Sequence, residues 1–161
     1  MVTILKIIFI GVVATFVVDI WVFLLGLFKI KSLDYRYVGR WIAGFPQGKF
    51  IHNNILITPP FKGELLIGWA AHYLIGITFA FLLIIFYGQN WLEKPVFYLA
   101  VILGIVTAAA PLFIMQPALG FGIASAKLPK PNSRRLKSLL THVVYGLGLY
   151  LGALLAKQLW N

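Results

Sequence analysis

Residues 14–25 read ATFVVDIWVFLL. One carboxylate, Asp19, sits inside an apolar run that extends from about Leu5 to Phe28. Such a run meets the roughly 20 residues that a helix needs to cross a bilayer. It is too long for the apolar core of a secretory signal, and no A-x-A cleavage pattern follows it, so it reads as a retained helix. The pattern then repeats. Comparable apolar stretches run over about 65–87, 95–124 and 138–156. The chain of 161 residues is 61% hydrophobic and only 11% charged, more apolar surface than a soluble domain of this size could hide. The expected fold is therefore all-α and integral to a membrane: a single membrane domain over 1–161 with four transmembrane helices and no soluble catalytic module. The absence of cysteine excludes disulfides, thiolate metal sites and a Cys nucleophile.

A net charge of +10 could suggest nucleic acid, but the distribution of the charges excludes it. The segment 29–64 holds Lys29, Lys31, Arg36, Arg40, Lys49 and Lys62, and the segment 125–137 holds Lys127, Lys130, Arg134, Arg135 and Lys137. The opposite side has Lys6, Lys94 and Lys157, a split of eleven against three. That is a positive-inside bias. It predicts two cytoplasmic loops, both termini on the outer side, and a basic surface suited to anionic inner-leaflet lipids, at about 1 kcal/mol per basic residue near the headgroups.

The ends of the spans are also legible. Lys94-Pro95 opens the third, and Tyr87, Trp91 and Tyr98 frame the short outer loop as an aromatic belt, with Trp160 at the outer end of the last helix. In the third, PLFIMQPALGFG places Pro111 and Pro117 before Gly120 and Gly122, which predicts a kink or break near Gln116 and backbone carbonyls in need of partners. In the first loop, Leu33, Tyr37, Val38, Trp41, Ile42 and Phe45 share one helical face while Arg36 and Arg40 share another, with Ser32 as N-cap. This predicts a short amphipathic helix on the membrane surface. The remainder, residues 46–62, is turn-rich. A weak internal repeat pairs GVVAT at Gly11 with GIVTA at Gly104, and HYLIG at His72 with HVVYG at His142. It suggests two helical hairpins in the same orientation, although short matches arise by chance in such a composition.

Each span carries one strongly polar residue. At 1.5 Å per residue, Asp19 and His72 lie ~13 Å and ~12 Å from the ends of their helices that face the long loops, His142 lies ~6 Å deep, and Gln116 lies at a depth similar to Asp19. Gly11, Thr15 and Asp19 are spaced by four, as are Gly68, His72 and Gly76, with Glu64 one turn earlier; Gly146 follows His142, and Gly148 and Gly152 form a GxxxG pair. Small residues at that spacing mark faces where helices approach closely, so the polar residues should point into the bundle. Three readings follow. The layer is structural, with Asp19 bonded to His72 or His142, or protonated beside Gln116, each bond worth ~0.6–2 kcal/mol. Alternatively Asp19, His72, Gln116 and His142 bind a proton or ligand. In the third reading, His72 and His142 hold a haem. No other cofactor and no metal site is expected. Glu64 reads as a favourable charge at a helix N-terminus, Asp34 as a surface partner of Arg36 and Arg40, and His52 as solvated loop polarity. No nucleophile–base spacing, H-E-x-x-H motif or acidic cluster is present.

The segments SLDYRYVGRW, GWAAHYLIG, APLFIMQPALGFGIASAKLPKP and THVVYGLGLYL resemble a family of small bacterial inner-membrane proteins known only as a domain of unknown function. The resemblance implies four helices and a bacterial cytoplasmic membrane, and it brings no activity and no catalytic residue. The expected function is an accessory or structural membrane subunit, packed against itself or a larger membrane complex. The alternatives are a small transport or ligand-binding protein, and then a membrane enzyme acting on a lipid.

Overall fold

The computed structural model describes residues 2–160. Among them the regular structure is entirely helical, and four helices are long and apolar enough to cross a membrane: Val2–Leu27, Glu64–Tyr87, Phe97–Ala118 and Pro131–Trp160. The protein is a multi-pass membrane protein. Two short helices lie between the spans, Tyr35–Ala43 and Asn90–Glu93, along with 3-10 turns at Phe45–Gln47, Ile55–Ile57 and Ile123–Ser125.

Two compact units make up the chain. The first comprises Met1–Lys31, Tyr73–Thr107 and Leu140–Asn161. Its core joins Ile10, Ala14, Leu83, Leu103 and Leu149, all nearly free of solvent contact. Glycines let its backbones meet. A Cβ on Gly11 would lie 2.6 Å from Cα of Ile77, and one on Gly148 would lie 2.7 Å from Cα of Ala14. The GxxxG pair Gly148/Gly152 therefore serves packing inside the chain, against Ala14 and Ile10 of the first span. The two halves of the sequence repeat use the same device: Gly11 abuts the second span at Ile77, and Gly104 abuts the fourth at Gly146. Thr15 and Thr107 each donate back to those glycines' carbonyls, at 2.8 and 2.6 Å.

Trp91 departs from the expected belt. It is 3% exposed and packs in this core together with Leu92. The helix Asn90–Glu93 turns both side chains inward, and the Trp91 indole nitrogen donates to the Val96 carbonyl at 3.3 Å. Lys6 is likewise drawn in, its ammonium 3.7 Å from Glu93.

The second unit comprises Ser32–His72 and Ala108–Leu139. Asp34, not Ser32, caps the helix Tyr35–Ala43; its side chain accepts from the Arg36 backbone N–H at 3.0 Å. The apolar face of that helix meets protein. Leu33, Tyr37 and Trp41 pack on Ile55, Leu119 and Phe121. That face is thus partly covered within the chain.

The third span does not break at Gln116. It widens into π-helix over Ala110–Met115, and the Gln116 N–H reaches the Pro111 carbonyl five residues back. Pro111 has no N–H and its ring crowds the preceding turn, so an inserted wide turn relieves the clash while keeping the carbonyls bonded. The span ends at Ala118 rather than near Ala124, because the chain turns sharply at Gly120, φ 85°. The last span starts at Pro131, several residues before the expected 138, with proline at a position where a helix start tolerates it. Arg134, Arg135 and Lys137 thus ride on its first turns instead of in a loop.

Candidate functional site

Asp19 and His142 fall in the first unit, His72 and Gln116 in the second. The Tyr73 hydroxyl donates to Asp19 Oδ2 at 2.7 Å, joining the first span to the second. Nearby, the Trp21 indole nitrogen donates to Thr141 Oγ1 at 3.3 Å. His142 Nδ1 lies 2.9 Å from the Thr107 hydroxyl, a bond between the third and fourth spans. Tyr145, on the same helix as His142, donates from its buried hydroxyl to the Gly76 carbonyl at 2.6 Å.

In the second unit, His72 Nε2 and the Tyr35 hydroxyl are 3.0 Å apart, with the rings stacked at 4.3 Å. Trp69 meets Tyr35 edge-on at 4.8 Å. Gln116 Oε1 accepts from the buried Ser125 hydroxyl at 2.9 Å, which ties the end of the third span to the turn that follows it. Each of the four polar residues thus has a hydroxyl-bearing neighbour. Sequence reasoning missed those partners, Tyr35, Tyr73, Thr107 and Ser125. Hydroxyls are common in membrane helices, so only geometry singles them out. A haem on His72 would have to displace the Tyr35 hydroxyl from Nε2. Among the described residues, no group of three or more His, Asp or Glu side chains could hold a metal ion.

The strongest polar feature is one the sequence placed at the surface. Arg40 and Glu64 form a buried ion pair, their side chains 9% and 8% exposed. Arg40 Nε donates to Glu64 Oε2 at 2.8 Å and Nη2 to Oε1 at 2.9 Å. Its Nη1 donates to the carbonyls of Ile55 at 3.1 Å and Thr58 at 2.6 Å. The Phe61 N–H adds a bond to Glu64 Oε2 at 3.3 Å. Hydrogen bonding to the Glu64 carboxylate raises the pKa of Arg40 above its ordinary value despite the opposing cost of burial. Glu64 does open its helix, but its carboxylate is held by Arg40 and not by the helix end alone. Asp34 keeps the surface pairing with Arg36, at 3.0 Å, and does not share Arg40. Gly39 and Gly68 permit this clamp, because a Cβ on either would collide with the backbone of Glu64 or of Tyr35.

His52, read as solvated, is half-buried. Its backbone N–H donates to the Ala118 carbonyl at 2.7 Å, and the Ile55 N–H donates to the Leu119 carbonyl at 3.0 Å. The carbonyls released at the end of the third span are thus met by residues 52–55. A Cβ on Gly120 would lie 2.7 Å from the His52 carbonyl oxygen, so the close approach needs glycine.

A family model described as "Protein of unknown function (DUF2938)" matches residues 8–156. No curated protein and no solved structure matches the chain.

Proposed function

The chain belongs to that family, and from this premise we propose that it is an accessory or structural subunit of a bacterial cytoplasmic membrane rather than an enzyme. One observation carries the reading. Asp19, His72, Gln116 and His142 each meet a Tyr, Thr or Ser hydroxyl within hydrogen-bond distance. Polar pairs of this kind set the register between helices. The eleven-to-three division of Lys and Arg supports an orientation with both termini outside and the unit around Arg40 and Glu64 facing the cytoplasm. The GxxxG pair is consumed internally, so a partner would meet other lipid-facing surfaces, the second span above all, where Leu66, Leu74, Ile85 and Phe86 are exposed.

Gentle extraction from the native membrane, followed by cross-linking and native mass spectrometry, tests the proposal. It predicts a homo-oligomer or a complex with a larger membrane protein. A monomer carrying a stoichiometric small ligand that Asp19→Asn abolishes would refute it. The orientation is tested by labelling an Asn53→Cys variant in intact cells, where modification from outside would refute it.

The π-turn favours a second reading, a small transport or proton-binding protein using the same four residues. Such turns are frequent at functional sites. Under this reading Asp19→Asn abolishes activity at normal protein level, whereas under the first it lowers only stability.

A further inference from the structure

Residues 50–58, FIHNNILIT, sort their side chains the wrong way round for a loop in water. Phe50, Ile51, Leu56 and Ile57 are exposed, Ile51 at 78% and Ile57 at 80%, and Ile55 alone of the apolar residues is turned in. The polar side chains do the opposite. His52, Asn54 and Thr58 are half-buried, and only Asn53 is exposed. The three bond inside the segment. His52 Nδ1 lies 3.4 Å from the Thr58 hydroxyl, that hydroxyl donates to the Asn54 carbonyl at 3.3 Å, and Asn54 Oδ1 accepts from the Leu56 N–H at 3.0 Å. Exposed apolar residues scattered singly are ordinary, but a cluster of them beside withdrawn polar groups marks a surface that something apolar covers.

The backbone is arranged for the same purpose. The N–H groups of His52 and Ile55 donate to the Ala118 and Leu119 carbonyls, and those of Ile57 and Thr58 donate to the Asn54 and Ile55 carbonyls. The Phe50 carbonyl accepts from the Trp41 indole nitrogen at 2.8 Å, and the Ile55 and Thr58 carbonyls accept from Arg40. Irregular backbone can face lipid only when its polar groups are bonded within the protein, and here most of them are. The place in the fold names the cover. The segment is bonded to the end of one span, at Ala118, and its chain enters another at Glu64, so it lies at the level where two spans leave the bilayer. Lys49 and Lys62, both exposed, bracket it, and lysines in that position hold their ammonium groups at the phosphates while their stems lie along apolar surface.

We propose that residues 50–58 form a lipid-seated loop: Phe50, Ile51, Leu56 and Ile57 insert into the headgroup and upper acyl region of the bilayer that the four spans cross, with Lys49 and Lys62 at its phosphates. The Arg40–Glu64 pair then has a task besides holding the unit together, since Arg40 takes up two carbonyls that would otherwise draw water to the loop. The seat rests on the spans alone. It is the same in either leaflet, so failure of the orientation proposed above would leave it standing.

The test is spin-label accessibility on the full chain, one copy per nanodisc of phosphatidylethanolamine and phosphatidylglycerol. The sequence has no cysteine, so Ile51→Cys and Ile57→Cys each carry a single label, and neither side chain is packed within the chain. Leu74→Cys, exposed in the middle of the second span, gives the hydrocarbon reading, and Ser133→Cys, exposed on the first turn of the last helix, gives the aqueous one. Power saturation compares contact with oxygen, which concentrates in hydrocarbon, against contact with a water-soluble nickel chelate, and doxyl-labelled lipids calibrate depth. The proposal expects both loop labels between the level of the phosphates and about 10 Å beneath it, with less nickel contact than Ser133 and more than Leu74. Where either variant loses the wild-type melting temperature, Leu56→Cys replaces it. Nickel contact at Ile51 and Ile57 equal to that at Ser133 would place the loop in water and overturn the proposal. Low contact with both reagents, the mark of a site covered by protein, would overturn it as well.

Discussion

Removal of the Glu64 carboxylate should unlatch the second unit. In Glu64→Leu, Arg40 keeps the carbonyls of Ile55 and Thr58 but loses both carboxylate bonds, at 2.8 and 2.9 Å. At 9% exposure its charge cannot turn to water without moving the short helix. Breaking one side of a buried pair costs about 3–5 kcal/mol, and the two retained carbonyls place this case near the lower end. For a chain of this size that is about 6–12 °C in Tm. Arg40→Met should cost a similar amount, because it strands the carboxylate. The double variant Arg40→Met/Glu64→Leu strands neither charge, so it should fall short of the sum of the single costs by about 2 kcal/mol or more. Thermal unfolding in detergent micelles reads this through Trp41 and Trp69, both in the same unit, and trypsin cleavage at Lys49 or Lys62 should quicken in the single variants. Asp34→Asn is the control. Its pair with Arg36 is exposed, at 37% and 58%, and asparagine still caps the helix, so the change should stay below about 1 kcal/mol. A Glu64→Leu shift of less than about 2 °C, or strict additivity in the double variant, would sink the argument.

Other substitutions probe the remaining contacts. Gly11→Ala and Gly148→Ala should each destabilise by about 1–3 kcal/mol, since their Cβ atoms would press on Cα of Ile77 and Ala14. Gly26→Ala meets nothing within 4 Å and should be neutral or stabilise by up to about 1 kcal/mol, as unfolding in the same micelles will show. Tyr73→Phe and Thr107→Val should each cost about 0.6–2 kcal/mol by removing the hydroxyls on Asp19 and His142; a cost near zero in both would mean that these bonds set no register. Pro111→Ala should let the third span close into regular α-helix and shift Gln116 relative to Ser125, measurable as a changed distance between spin labels placed either side of the π-turn.

The four spans were legible because length and hydropathy alone decide them. So was the close-approach role of the small residues at four-residue spacing. The ends were harder. The third span's limit depends on whether Gly120 takes a left-handed conformation, and that is set by the backbone of His52 and Asn53, far away in sequence. Amphipathicity gave the apolar face of the helix Tyr35–Ala43, but not that Leu119 and Phe121 pack on part of it, because they look no different from lipid in such a pattern. Arg40 and Arg36 share one face by spacing, yet one enters a buried pair and the other stays exposed. No local signal distinguishes them; the difference arises where Glu64 lands. His52 looked solvated because it neighbours asparagines, and its partial burial follows from its attachment to the end of the third span.

That attachment carries a consequence for biosynthesis. The backbone partners of His52 and Ile55 are the carbonyls of Ala118 and Leu119, made only after the second span and most of the third have left the ribosome. During that interval residues 46–62 lack the acceptors that the end of the third span supplies. Contacts so distant in sequence form late. Lys49, Asn53 and Asn54 give the segment reason to stay in water meanwhile. A nascent chain halted after Tyr87 should therefore carry this loop open to protease, and a chain released past Leu119 should protect it, so that the loop reports the arrival of the third span.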